Sequence, residues 1–98
     1  MARERLSEEA VVQALAGVSW RRDGDWLEKT STFKDFREAM AFVNRVAELA
    51  EERNHHPDIS ISWNRVTLRL TTHDRGGLTE RDFDLARAID AQGAGQGG

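Results

Sequence analysis

Three histidines, His55, His56 and His73, are the side chains best suited to move protons near neutral pH. An unperturbed imidazole titrates near pH 6.5, so it both gives and takes a proton there. Asp58 and Asp74 lie beside them and could complete a metal site instead. That reading is weak. There is no HExxH and no Cys, and adjacent residues of an extended chain point opposite ways. Polar loop histidines without a chemical task are the bland alternative, which suits a lone His better than three that converge. Glu51 falls in the last turn of a long helix, where an acid is mildly unfavourable to the dipole; a solvated helix face is its ordinary explanation. Asp82 has an ordinary explanation as a helix-capping residue. Trp20 and Trp63 are residue types that more often fill a core than carry a ligand. The chain has no nucleophilic Ser elbow, phosphate loop or dinucleotide fingerprint.

The elements that must position these residues follow from pattern. Ser7, with Glu8 and Glu9 behind it, caps a short helix near 8–16, and Gly17 stops it. Asp23-Gly24 reads as a two-residue hairpin turn between Trp20–Arg22 and Asp25–Lys29. That register sets Trp20 opposite Leu27 and sends Trp26 to the other face, where nothing obvious covers it. Phe36, Ala39, Met40, Val43, Val46, Ala47 and Ala50 recur at helical spacing, so a long amphipathic helix is predicted from about Lys34 to Arg53. Pro57 requires that it has ended by His56. Ile59, Ile61 and Trp63 alternate with serines as a third strand. After a turn at Asn64-Arg65, Val66, Leu68 and Leu70 mark a fourth. Gly76-Gly77 breaks the chain, and Thr79 with Asp82 opens a last helix in capping-box spacing, stapled by Leu78 and Phe83.

The predicted fold is α+β: a single four-stranded antiparallel sheet with helices packed on one face, in the order α-β-β-α-β-β-α. If the last two strands form a hairpin, the start of one lies beside the end of the other. His55 and His56 then meet His73.

The 98 residues suit one domain, taken as 1–92, with a Gly-rich tail over 93–98 expected to be disordered. No apolar run approaches the roughly 20 residues of a membrane span, and the N-terminal segment does not read as a signal peptide. A formal net charge of −3 without a basic stripe argues against nucleic acid as a partner. The absence of Cys excludes disulfides and thiolate chemistry and suits a cytoplasmic location. So small a domain has a thin core, which makes oligomerisation an ordinary way to bury more.

The run Glu51-Glu52-Arg53-Asn54-His55-His56-Pro57-Asp58, followed by Trp63, His73 and Asp82, resembles the signature of the pterin-4a-carbinolamine dehydratases. The flanks agree: Phe33-Lys34-Asp35-Phe36, Thr71-Thr72-His73-Asp74, Gly77-Leu78-Thr79-Glu80-Arg81-Asp82 and Gly17-Val18-Ser19-Trp20. The resemblance spans about residues 6–90. It implies dehydration of a 4a-hydroxytetrahydropterin, such as 4a-hydroxytetrahydrobiopterin, to the quinonoid dihydropterin. An aromatic amino acid hydroxylase would supply the substrate, and the step needs neither cofactor nor metal. It further implies His55 and His73 as an acid–base pair, His56 beside the pterin, and Asp82 orienting a histidine. Glu51 is expected at the polar edge of the ring, Pro57 setting the chain direction, and Trp20 lining the pocket. Relatives form homodimers through their sheets and homotetramers through their helices. The same fold also serves as a non-enzymatic dimerisation or assembly module, which is the alternative implied function.

Overall fold

The computed structural model describes residues 4–92. The stretch 93–98, expected to be disordered, lies outside the described residues. The element order is α1 (Glu8–Leu15), β1 (Arg21–Asp23), β2 (Trp26–Thr32), α2 (Phe36–Arg53), β3 (Asp58–Ser62), β4 (Arg65–Leu70) and α3 (Glu80–Asp90). A short 3-10 turn, His73–Arg75, joins β4 to α3, in a stretch where the sequence pattern marks only the Gly76-Gly77 break. The four strands form one antiparallel sheet in the order β1-β2-β4-β3. The architecture expected from the sequence is therefore present.

Alternation along the central strands decides which face meets the helices. Leu27, Val66, Leu68 and Leu70 are buried on one side. They pack with Ala39, Phe42, Val46 and Ala50 of α2 and Phe83, Leu85, Ala86 and Ile89 of α3 in one core. The other face carries Glu28, Thr30, Thr67 and Arg69, a polar surface. The inward stripe of α2 differs from the predicted one: Phe42 is buried, whereas Phe36 is half-exposed. Phe36, Met40, Val43 and Ala47 form a second apolar stripe, turned away from the deepest packing.

Both hairpin turns are displaced by one residue from expectation. The pairs Asp23↔Trp26 and Arg22↔Leu27 place Gly24 and Asp25 at the centre of the first turn, not Asp23 and Gly24. Only Gly24 has positive φ (62°), so a turn with glycine at its first central position wins over type I′. Leu27 accordingly faces Arg22, and Trp20 lies outside the strand. In the second hairpin Ser62 pairs with Arg65, so Trp63 and Asn64 make the turn. Trp63 leaves the strand, takes φ 54° and is largely exposed. Asn64 ties this tip to Phe33 through its side-chain amide, 2.8 Å from the Phe33 carbonyl. Gly17 does not cap α1 in the left-handed conformation; the helix ends at Ala16 with helical φ and ψ. Ser7 does cap it, accepting from the Ala10 N–H.

Asp90, at the C-terminus of α3, fastens the first strand region to the last helix. Its carboxylate accepts from the Ser19 N–H at 2.9 Å, the Trp20 indole N–H at 2.9 Å and Lys29 Nζ at 2.7 Å. Burial works to raise the Asp90 pKa, but these donors outweigh it and hold it below the ordinary aspartate value. A carboxyl depressed in the folded state stabilises fully above its unfolded pKa, near 4, and loses that contribution as pH falls through the folded value. Asp90→Asn is therefore expected to melt below the parent at pH 7. The gap should narrow as the pH drops below about 4, as read by thermal denaturation across a pH series.

Candidate active site

The junction that carries the paired histidines is set by the end of α2. Asn54 takes the left-handed conformation (φ 50°, ψ 44°) and ends the helix. Its N–H bonds the Glu51 carbonyl at 3.2 Å, and the next N–H, of His55, bonds the Ala50 carbonyl at 3.1 Å. These are the two hydrogen bonds of a Schellman motif. The stop thus comes from Asn54, with Pro57 following it. The consequence for chemistry is that the His55 backbone is locked two residues beyond the end of α2.

His55 is buried and points at a buried carboxylate. Its Nε2 lies 2.6 Å from Asp82 Oδ1, and Asp82 has no exposed surface. The other oxygen of Asp82 accepts from the Thr79 N–H at 2.9 Å and from the Thr72 hydroxyl at 2.8 Å. Thr72 Oγ1 in turn lies 2.9 Å from Thr79 Oγ1. With its own proton given to Asp82, Thr72 is the acceptor in that pair. The capping box at α3 is complete, so Asp82 caps the helix and orients His55 at once. A carboxylate facing Nε2 selects the neutral tautomer with its proton there, which leaves Nδ1 as the acceptor nitrogen of the ring.

His55, His56 and His73 all line one cavity of about 350 Å³, with Asn54, Thr71, Thr72, Asp74 and Arg81. The segments that follow α2 and β4 and the first turn of α3 therefore meet at one end of the sheet. His56 is exposed, its Nε2 2.7 Å from Glu51 Oε2. Glu51 holds a histidine that lines the cavity without lining it itself, and Pro57 is likewise outside the lining. Trp20 is not brought to this cavity. It is buried against Asp90, at the opposite end of α3 from Asp82, about 12 Å along the helix at 1.5 Å per residue. The reason is the shifted hairpin register, which carries Trp20 towards Lys29. Among the described residues no group of three or more His, Asp or Glu side chains is placed to hold a metal ion.

Sequence reasoning missed Arg81, Thr71 and Thr72. Arg81 reaches back from the first turn of α3 and donates to the Asn54 carbonyl at 2.8 Å. It thereby ties the histidine junction to α3 and leaves a cation in the cavity wall.

A family model described as pterin 4 alpha carbinolamine dehydratase matches residues 4–92. The chain belongs to this pterin-4-alpha-carbinolamine dehydratase family. A Thermomicrobium roseum protein named "Putative pterin-4-alpha-carbinolamine dehydratase" is 59% identical over 86 residues, 87% of this chain and 92% of the relative. One of the same name from Thermosynechococcus vestitus is 56% identical, covering 88% and 92%. A crystal structure described as a transcriptional coactivator/pterin dehydratase from Brucella melitensis superposes with a TM-score of 0.86 at 34% identity, covering 90% of this chain and 97% of its own. A pterin dehydratase-like protein identified as a RuBisCO assembly factor in the alpha-carboxysome shares the fold, with a TM-score of 0.62 at 24% identity and coverage of 79% and 89%.

Removing the Asp82 carboxylate strands donors from three residues in a buried place. Asp82→Ala is expected to lower the unfolding free energy by about 3–5 kcal/mol, the usual loss when one partner of a buried polar pair is deleted. Glu51→Ala, which opens only a surface pair, should change it far less. Urea titration of both variants against the parent checks the contrast.

Proposed function

We propose that this cavity dehydrates a 4a-hydroxytetrahydropterin, such as 4a-hydroxytetrahydrobiopterin, to the quinonoid dihydropterin. The observation that carries the reading is the buried His55–Asp82 pair opening onto a cavity that His73 also lines. Hydroxide is a poor leaving group, so an acid must protonate the 4a oxygen as its bond to carbon breaks. A base must take the N5 proton as the C4a–N5 double bond forms. We assign the base to His55, because Asp82 both sets its tautomer and stabilises the imidazolium it becomes. His73, protonated, delivers its proton to the departing oxygen, and water leaves. One imidazolium is consumed and one is formed, so exchange with solvent resets the pair. His56, held by Glu51, contacts the pterin, and Arg81 offers donors to its polar edge. No cofactor enters this scheme. An aromatic amino acid hydroxylase is the kind of enzyme that would supply the substrate, in a cytoplasmic tetrahydrobiopterin recycling step.

Assembly follows from surfaces the single chain leaves open. All five residues of β3 are exposed along a sheet edge, with Ile59 and Ile61 each 38% accessible. The second apolar stripe of α2 begins at exposed Phe36, near exposed Trp63. These support a homodimer through sheet edges and a homotetramer through helices, which sedimentation at several concentrations would reveal. A concentration-independent monomer would contradict it. The alternative, a binding or assembly module without catalysis, draws on the coactivator and assembly-factor descriptions of the two solved relatives. The complete histidine set favours the enzyme.

The deciding assay is stopped-flow dehydration of enzymatically generated 4a-hydroxytetrahydropterin, with and without the chelator-treated protein. Acceleration over the spontaneous rate is expected. His73→Ala should slow turnover on the order of 10²-fold or more. Near-parental turnover by a folded His73→Ala variant would remove His73 from the scheme, and no acceleration by the parent would favour the assembly reading.

A further inference from the structure

His73 differs from the other two histidines in how it is held. His55 has Asp82 and His56 has Glu51; among the described residues, no side chain hydrogen-bonds the His73 ring. The ring is exposed, and it sits at the start of the 3-10 turn rather than in a strand. Its aromatic neighbour is Trp26, edge-on, with centroids 5.4 Å apart and planes at 77°. The ladder explains the meeting. Leu27 pairs with Leu70, so one further step sets Trp26 opposite Thr71. On that face Arg69 is a diagonal neighbour of the indole, and the 3-10 turn that follows the strand brings His73 against it.

The indole is itself held. The Arg69 guanidinium lies 4.7 Å from the Trp26 ring centroid. Arg69 has acids directly across from it on both neighbouring strands, Glu28 and Asp58. Its ion pair goes instead to Asp23, at 3.0 Å, and Asp23 is the cross-strand partner of Trp26. Arg69 Nε is buried without a hydrogen-bond partner. The guanidinium keeps its place over the ring although one donor goes unsatisfied there. Thr71 also donates its hydroxyl to the Asp25 carbonyl, tying the same hairpin to the same strand.

We infer that Trp26, clamped by Arg69 and Asp23, is a positioning residue that holds the His73 imidazole facing the cavity for proton transfer. The inference rests on the dehydratase reading for its kinetic consequence. An exposed imidazole with no hydrogen-bonded partner samples several rotamers, and only some place a nitrogen over the cavity. Edge-to-face packing against a fixed indole selects among them, and small losses of alignment cost rate steeply.

The test combines kinetics with NMR of the His73 ring in the full chain, using Trp26→Leu, Trp26→Phe and Arg69→Met. Trp26→Leu is expected to lower kcat about tenfold with KM within about twofold, and Trp26→Phe to recover most of the loss. Arg69→Met should fall between the parent and Trp26→Leu. The His73 ring protons should shift in Trp26→Leu as the indole ring current is removed. Should Trp26→Leu not fold at the assay temperature, Arg69→Met takes its place, and a parental kcat in Arg69→Met then overturns the inference. Unchanged kcat in a folded Trp26→Leu variant, whether or not the resonances move, overturns the inference. So does a Trp26→Phe variant no better than Trp26→Leu. If the parent shows no dehydratase activity, unmoved His73 resonances in Arg69→Met, which keeps the indole, still overturn the clamp and moved ones support it, so the two readings fail separately.

Discussion

The carboxylate of Asp82 is the constraint on which the rest of the site depends. A fully buried acid is costly unless its lone pairs are filled. Here they are filled by donors from three places: the Thr79 backbone, the Thr72 hydroxyl and the His55 ring. Each donor belongs to a different structural task. Thr79 starts α3, Thr72 ends the run of β4 that leads to His73, and His55 follows α2. Satisfying one buried charge therefore brings the ends of α2 and β4 and the start of α3 to a common point, with His55 arriving from 27 residues away. The cavity is the space beside that point.

The helix ends supply the directions. The Schellman stop at Asn54 fixes the backbone of His55, and Arg81 returns from α3 to the Asn54 carbonyl. Two helices thus hold the same junction from opposite sides. Far from the site, Asp90 performs the complementary task at the other end of α3, gathering Ser19, Trp20 and Lys29. The last helix, α3, is thus tied at both ends, to the histidine junction at one and to Ser19, Trp20 and Lys29 at the other.

Much of this was legible in the chain. Local signals with a mechanism held: Ser7 as a cap, the Thr79–Asp82 box, the long periodic helix and the alternating Val66, Leu68 and Leu70. The convergence of the histidines followed from strand pairing alone. What misled was the choice of turn. Asp23-Gly24 and Gly24-Asp25 are both acceptable centres by composition, and only the paired strands choose between them. The choice moved Trp20 out of the pocket. It also gave Trp26 its neighbours, Arg69 and His73. Trp63 departs from the alternation for a related reason. An aromatic residue at positive φ is uncommon, so alternation favoured leaving it in the strand, whereas the Phe33–Asn64 hydrogen bonds hold the tip. Phe42 was overlooked because two apolar stripes share α2 and sequence alone does not say which one faces inward. Thr72 and Arg81 carry no pattern of their own and become visible only once Asp82 is seen to be buried.

The double duty of Asp82 bears on how lineages of this fold can be read. An aspartate at this position is kept by folding as much as by chemistry, so a descendant that had abandoned catalysis would still retain it. His73, which caps nothing and fills no core, has no such second reason to persist. On the proposed dehydratase reading, the exposed histidine is therefore the better witness to a living activity within a set of diverging sequences than the buried acid.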